Sequence, residues 1–170
     1  MRRAPCERNA PRPVATDIVA RLFLVDTNVV VSGIVGLDAQ SPPVLILDAM
    51  LRGELPFVIS ADLLAEYHEI LVRPSIAARH AMPASKVDAL LAELTTAAYL
   101  RQPQAELVSD DDPPPSGPPG DEHIIRLLAH EPRAALVTGD QSLLDAVRGW
   151  REVVSPAALV TLLGLTPPAA

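Results

Sequence analysis

The chain reads as an α/β protein with a central parallel sheet covered by helices on both faces. Three observations predict this. Short apolar runs recur at wide intervals, most of them end in residues that start helices, and stretches of helical period separate them. With 170 residues, 49% of them apolar, the chain has material for one domain with one sizeable core.

Taken in order, residues 1–20 are expected to form a disordered basic tail. The first twelve carry four Arg and no apolar run, so they do not resemble a secretory signal. A single domain is expected over 21–165, opening with Leu22-Phe23-Leu24-Val25, whose continuous apolarity suits a strand buried on both faces. Three further runs look similar: Phe57-Val58-Ile59, Ala135-Leu136-Val137 and Glu152-Val153-Val154. Ser60, Asp140 and Ser155 follow them and are residues that cap helices, and Pro156 suits a first helical position. Helical period is expected over 43–52, 61–72, 84–100, 121–129, 142–147 and 157–163. The chain has 18 Pro, and ten of them fall in three places: the N-terminal tail, a Pro-rich loop over 110–120, and a tail over 166–170. No apolar stretch approaches the ~20 residues that a membrane span needs. One cysteine, Cys6, allows neither an internal disulfide nor a Cys-based zinc site, and a reducing cytoplasmic setting is expected.

In open parallel sheets, functional groups gather beyond the carboxyl ends of the strands, and four acids stand there or beside there. Asp26 follows the first apolar run directly, and Asp140 follows Val137-Thr138-Gly139. Either could simply cap the next helix, but neighbouring parallel strands would carry both to one edge. On a helical wheel Asp121 shares a face with Ile124, Ile125 and Leu128, whereas Glu122, His123, Arg126 and His130 fall on the other side. Glu66 lies at the margin of the stripe formed by Leu63, Tyr67, Ile70 and Leu71, with Glu69 well outside it. Four carboxylates at one edge repel one another and make sense chiefly as a cage for a hard divalent cation. All-oxygen ligation selects Mg²⁺ or Mn²⁺, and the chemistry that follows is phosphoryl transfer with a metal-activated water.

The run Leu24-Val25-Asp26-Thr27-Asn28-Val29, the segment 60–71 with Glu66 and the Arg73-Pro74 after it, Asp121-x-x-Ile124-Ile125, and Val137-Thr138-Gly139-Asp140 together resemble the PIN-domain family. Among its members the bacterial VapC-like toxin ribonucleases are the most similar. The resemblance covers about residues 21–163. It implies a three-layer α/β/α domain and an endoribonuclease in which Asp26, Glu66, Asp121 and Asp140 are the catalytic, metal-holding acids, with Asn28 and Thr138 as polar auxiliaries. It also implies homodimers, RNA as substrate and a small antitoxin protein as partner. Two departures stand out. Relatives often place a short acidic turn directly before the third acid, whereas here a Pro-rich insert separates Asp110-Asp111-Asp112 from Asp121, which makes Asp112 a rival for that role. Relatives also carry a further acid where this chain has Ser142, which leaves one full metal site and puts a second in doubt.

Other readings fit less well. A receiver domain needs a Lys after a late strand, but the only Lys is Lys86, at a helix start; an aspartyl-nucleophile hydrolase needs a second Asp that Asp26-Thr27-Asn28 lacks. A catalytically inactive PIN-like interaction module is the non-enzymatic alternative. His68, His80, His123 and His130 read as surface residues, and the pair Gly33 and Gly36 completes no phosphate-binding loop. The net charge of −7 argues against a broad cationic nucleic-acid surface. With four of 21 acids assigned to a metal site and thirteen of fourteen basic residues being Arg, a substrate held by metal and a few Arg contacts is expected, with Arg73, Arg126 and Arg148 as candidates.

Overall fold

The computed structural model describes residues 21–103 and 112–167. The tail expected over 1–20, residues 104–111 and the last three residues of the C-terminal tail lie outside them. In chain order the elements are β1 (Phe23–Val25), α1 (Thr27–Val35), α2 (Pro42–Leu51), β2 (Val58–Ser60), α3 (Ala61–Leu71), α4 (Pro74–His80), α5 (Ala84–Ala97), β3 (Tyr99–Arg101), α6 (Glu122–His130), β4 (Ala135–Val137), α7 (Gln141–Val147), β5 (Val153–Val154) and α8 (Pro156–Leu163).

All strand pairing is parallel. One ladder runs β1-β4-β5 and another β2-β3, and a single bridge between Phe23 and Phe57 joins them into the order β3-β2-β1-β4-β5. The junction is narrow beside Pro56, whose carbonyl accepts the Phe23 N–H at 3.0 Å but whose own nitrogen has no hydrogen to donate. β1, β2 and β4 are buried at every residue, as strands covered on both faces must be, and the architecture is a three-layer α/β/α sandwich.

The elements that the residue pattern misses each have a local cause. α1 contains Val29-Val30-Val31 and Gly33, which are poor helix formers, and is apolar on most sides, so it shows no helical period. Burial overrides propensity here, because α1 packs against both α2 and α3. The close approach to α2 also explains the two glycines. A Cβ on Gly33 would lie 2.6 Å from the Pro43 carbonyl oxygen and 2.9 Å from the Leu47 Cβ, and one on Gly36 would lie 2.7 Å from a Val44 methyl. α4 follows Arg73 after a break at Val72 and ends at Ala81 in the left-handed region, with φ 52°. The helix expected to reach residue 100 stops at Ala97. Tyr99–Arg101 instead forms β3, an outer strand whose Tyr99 and Leu100 are half-exposed and therefore carry no buried-strand signature.

His80 is partly buried at the last position of α4 rather than free on the surface. Its Nδ1 accepts the Met82 N–H at 3.0 Å and its Nε2 donates to the Leu71 carbonyl at 3.0 Å. The described part of the Pro-rich insert is a loop seated on the body of the domain. Arg151, stacked 3.8 Å from the Trp150 ring centroid, holds Asp112 at 2.6 Å, and the Pro118 carbonyl accepts the Asp121 N–H at 3.1 Å.

Candidate active site

The carboxyl ends of β1 and β4 lie side by side, since Val25 pairs with Val137 and the Asp26 N–H donates to the Val137 carbonyl at 3.0 Å. The next residues after both strands are polar and buried: Asp26 is 3% exposed, Thr27 2% and Thr138 0%. The Thr138 hydroxyl donates to Asp26 Oδ2 at 2.7 Å and accepts the Asp140 N–H at 2.9 Å, so one side chain links the two strand-end acids. Both acids also cap the helices they precede. Asp26 Oδ1 accepts the Asn28 N–H at 3.4 Å, and Asp140 Oδ1 accepts those of Ser142 at 2.7 Å and Leu143 at 3.1 Å. Capping and a place at the edge are thus compatible, and at Asp26 they use different oxygens of one carboxylate.

Glu66 projects from the second turn of α3, which Ser60 caps at the end of β2. Behind it Tyr67 donates its buried hydroxyl to the Val25 carbonyl at 2.5 Å, fastening α3 to the end of β1. Glu66 Oε2 accepts hydrogen bonds from the Thr27 hydroxyl and, at 3.0 Å, from His123 Nε2. Asp121 occupies the capping position of α6 but makes no cap hydrogen bond, unlike Asp26 and Asp140.

The charges register one another. Burial raises the Asp26 carboxyl above the ordinary aspartate range, the Thr138 hydroxyl and Asn28 N–H oppose this, and Glu66 and Asp140 add repulsion. Asp121 is raised by burial and then by repulsion from Asp26, Glu66 and Asp140, with His123 opposing. Burial would also raise Glu66, but the hydrogen bonds from His123 and Thr27 outweigh it and hold that carboxyl below its usual range. His123 is raised above the ordinary histidine range by its bond to Glu66, against the opposing effect of burial.

The structure therefore brings Asp26, Glu66, Asp121 and Asp140 into one electrostatic neighbourhood, with Thr138 between two of them. Asn28 contributes its backbone N–H while the residue itself is exposed. Asp112 is engaged by Arg151 instead of the acid edge. The three candidate phosphate contacts are each paired: Arg73 with Glu69 at 2.7 Å, Arg126 with Asp62 at 3.1 Å and Arg148 with Asp145 at 3.1 Å. Of these, Arg73 stands near enough to Glu66 to favour its charged form.

Two participants escape the sequence reading, and one is a correction. His123 is not a surface residue; its side chain is 14% exposed and bonded to Glu66. The wheel turns it away from the apolar stripe, but in a first helical turn the side chains tilt back over the N-terminal end, which here is the acid edge. Thr27 is the other, and its only signal is a hydroxyl directly after a strand-end acid.

The PIN-domain family model matches residues 23–142, and the chain belongs to the PIN-domain family. A comparison with curated proteins returns no significant match. The PIN domain is a nuclease-type fold whose nucleases generally use divalent metals. Among the described residues no three His, Cys, Asp or Glu side chains stand close enough to ligate one ion as arranged here. The donor set itself fits a hard cation: it consists of carboxylates that repel one another, an effect that a divalent ion would reverse. No helix among the described residues is long and apolar enough to cross a membrane.

Proposed function

We propose that the protein is a Mg²⁺- or Mn²⁺-dependent endoribonuclease that hydrolyses RNA phosphodiester bonds, and that it acts as the toxin of a toxin-antitoxin pair in the cytoplasm, as a homodimer. The observation that carries the nuclease reading is the gathering of four carboxylates where β1 and β4 end: burial comes first in raising the Asp26 and Asp121 carboxyls, Glu66 and Asp140 add repulsion at Asp26, and Asp26, Glu66 and Asp140 add it at Asp121. Asp26, Glu66, Asp121 and Asp140 would hold the ion, which when bound activates water and offsets the charge growing on the phosphate. Thr138 orients Asp26 through the 2.7 Å hydrogen bond. The backbone N–H groups that occupy Asp140 Oδ1 hold that carboxylate in one orientation. The toxin role, the dimer and a small antitoxin partner rest on resemblance to the toxin members of the family.

The test is incubation of the purified chain with single-stranded RNA in Mn²⁺, in Mg²⁺ and in chelator, beside Asp26→Asn. Cleavage that needs the metal and is lost in the variant supports the reading. No cleavage by the wild-type chain, or cleavage that survives both chelation and substitution, overturns it; the first outcome favours an inactive interaction module. Size-exclusion chromatography with light scattering reports the dimer.

A further inference from the structure

Three helices meet at one oxygen of Glu66. Its own helix α3 supplies the carboxylate, the first residue of α1 supplies the Thr27 hydroxyl, and the first turn of α6 supplies His123 Nε2 at 3.0 Å. Both donors take Oε2, so Oε1 is left without either of them. The His123–Glu66 contact also differs from the other ion pairs around α3. Its side chains are 14% and 25% exposed, against 54% and 70% for Arg73–Glu69 and 45% and 61% for Arg126–Asp62. Exposed pairs of that kind are easily replaced by water. A bond withdrawn from solvent instead fixes its acceptor, and a long glutamate side chain has several torsions to fix.

Neither His68 nor His80 shares this placement: His68 approaches Asp88 at 3.3 Å on exposed side chains, and His80 serves its own turn. From this geometry we propose that His123 is a positioning residue, holding Glu66 by Oε2 so that Oε1 stays available to a divalent cation. The inference rests on the metal-dependent reading above and adds to it a residue outside the acid set. Partners of this kind, which touch a ligand and not the ion, commonly change metal affinity by about 10- to 100-fold when removed.

Reach separates this role from a merely structural one. The amide nitrogen of a Gln side chain extends to about the place of a histidine Nε2, and that of Asn falls short of it. Mn²⁺ affinity is measured by titration calorimetry on the full chain for wild type, His123→Asn, His123→Gln, His123→Ala and Asp26→Asn, with thermal unfolding of each metal-free protein and RNA-cleavage kinetics alongside. The expected result is a loss of about tenfold or more in Mn²⁺ affinity for the Asn and Ala variants, near-wild-type affinity for the Gln variant, and a fall in kcat with little change in KM for RNA. Wild-type affinity in His123→Asn, or a Gln variant as weak as the Asn variant, would overturn the proposal. So would failure of both Asn and Gln variants to fold, which makes His123 a stability residue. If the wild-type chain binds no Mn²⁺, the metal reading fails and this proposal with it. If wild type binds, Asp26→Asn does not and His123→Asn binds normally, only the role of His123 falls.

Discussion

The starts of α1 and α6 place an aspartate at the same point of a helix and use it differently. At α1, Asp26 accepts the Asn28 N–H with one oxygen and the Thr138 hydroxyl with the other, so the fold itself depends on the side chain. At α6, Asp121 makes no cap hydrogen bond, and burial and three neighbouring acids raise its carboxyl. Both carboxyls are raised, but at Asp26 the hydrogen bonds offset part of the cost of burial, whereas the charged Asp121 is a burden on the metal-free fold that no cap bond offsets. Such a burden is expected where a group is kept for what it does when a ligand arrives.

The largest expected effect erases the difference. Asp26→Asn and Asp121→Asn each remove a charge proposed to hold the metal, and on that proposal each is expected to lower RNA cleavage by more than about 100-fold, beyond the usual cost of losing an outer partner. A cleavage assay in Mn²⁺ checks this, and full activity of Asp121→Asn would return the third role to another acid. Next in size is the seat of α1. Gly33→Ala pushes a methyl against the Pro43 carbonyl and the Leu47 side chain, and is expected to destabilise by about 1–3 kcal/mol in chemical denaturation.

Stability measurements then divide the two aspartates. Asp26→Ala loses the cap and orphans the Thr138 hydroxyl, so a destabilisation of about 1 kcal/mol or more is expected, whereas Asp121→Ala gives none in the metal-free protein. The pH dependence sharpens this further. Because the folded-state carboxyl of Asp121 is raised, this group's contribution to stability is greatest when it is protonated, below its ordinary value of 3.8, and is lost as pH rises through the folded value. The Tm of metal-free Asp121→Asn should therefore match wild type in strong acid and exceed it at neutral pH. Equal curves at neutral pH would remove the supposed burden. The smallest effect belongs to Asp112→Asn. It weakens a bond whose Asp112 end is half-exposed while Arg151 keeps its stacking on Trp150, so unchanged cleavage and a stability change of about 1 kcal/mol or less are expected.

Much of this was legible in the residues because the relevant signals are short and categorical. Apolar runs bounded by Asp or Ser mark β1, β2 and β4, and a strand-end acid is legible as soon as the strand is. The missing parts are those whose physics is not local. α1 is a helix although Val29-Val30-Val31 disfavours it, because burial against α2 and α3 outweighs propensity. β3 carries no apolar run because it lies on the outside of the sheet. His123 was hidden by a wheel that treats all turns alike, when the first turn looks over the helix end. The engagement of Asp112 by Arg151, 39 positions later in the chain, has no signature at all in spacing.

The pairing of β1 with β4 has a temporal side. Phe23 meets Ala135, and the Thr138 to Asp26 bond spans 112 positions, so the acid edge cannot exist until the strand nearest one end finds a strand from the far side of the chain. Contacts of such separation form slowly and after local helices. During synthesis, Asp26 and Glu66 emerge long before Asp121 and Asp140. A partly made chain therefore carries two of the four candidate acids and no complete edge, and the assembly of β4 beside β1 is the step at which the four can meet.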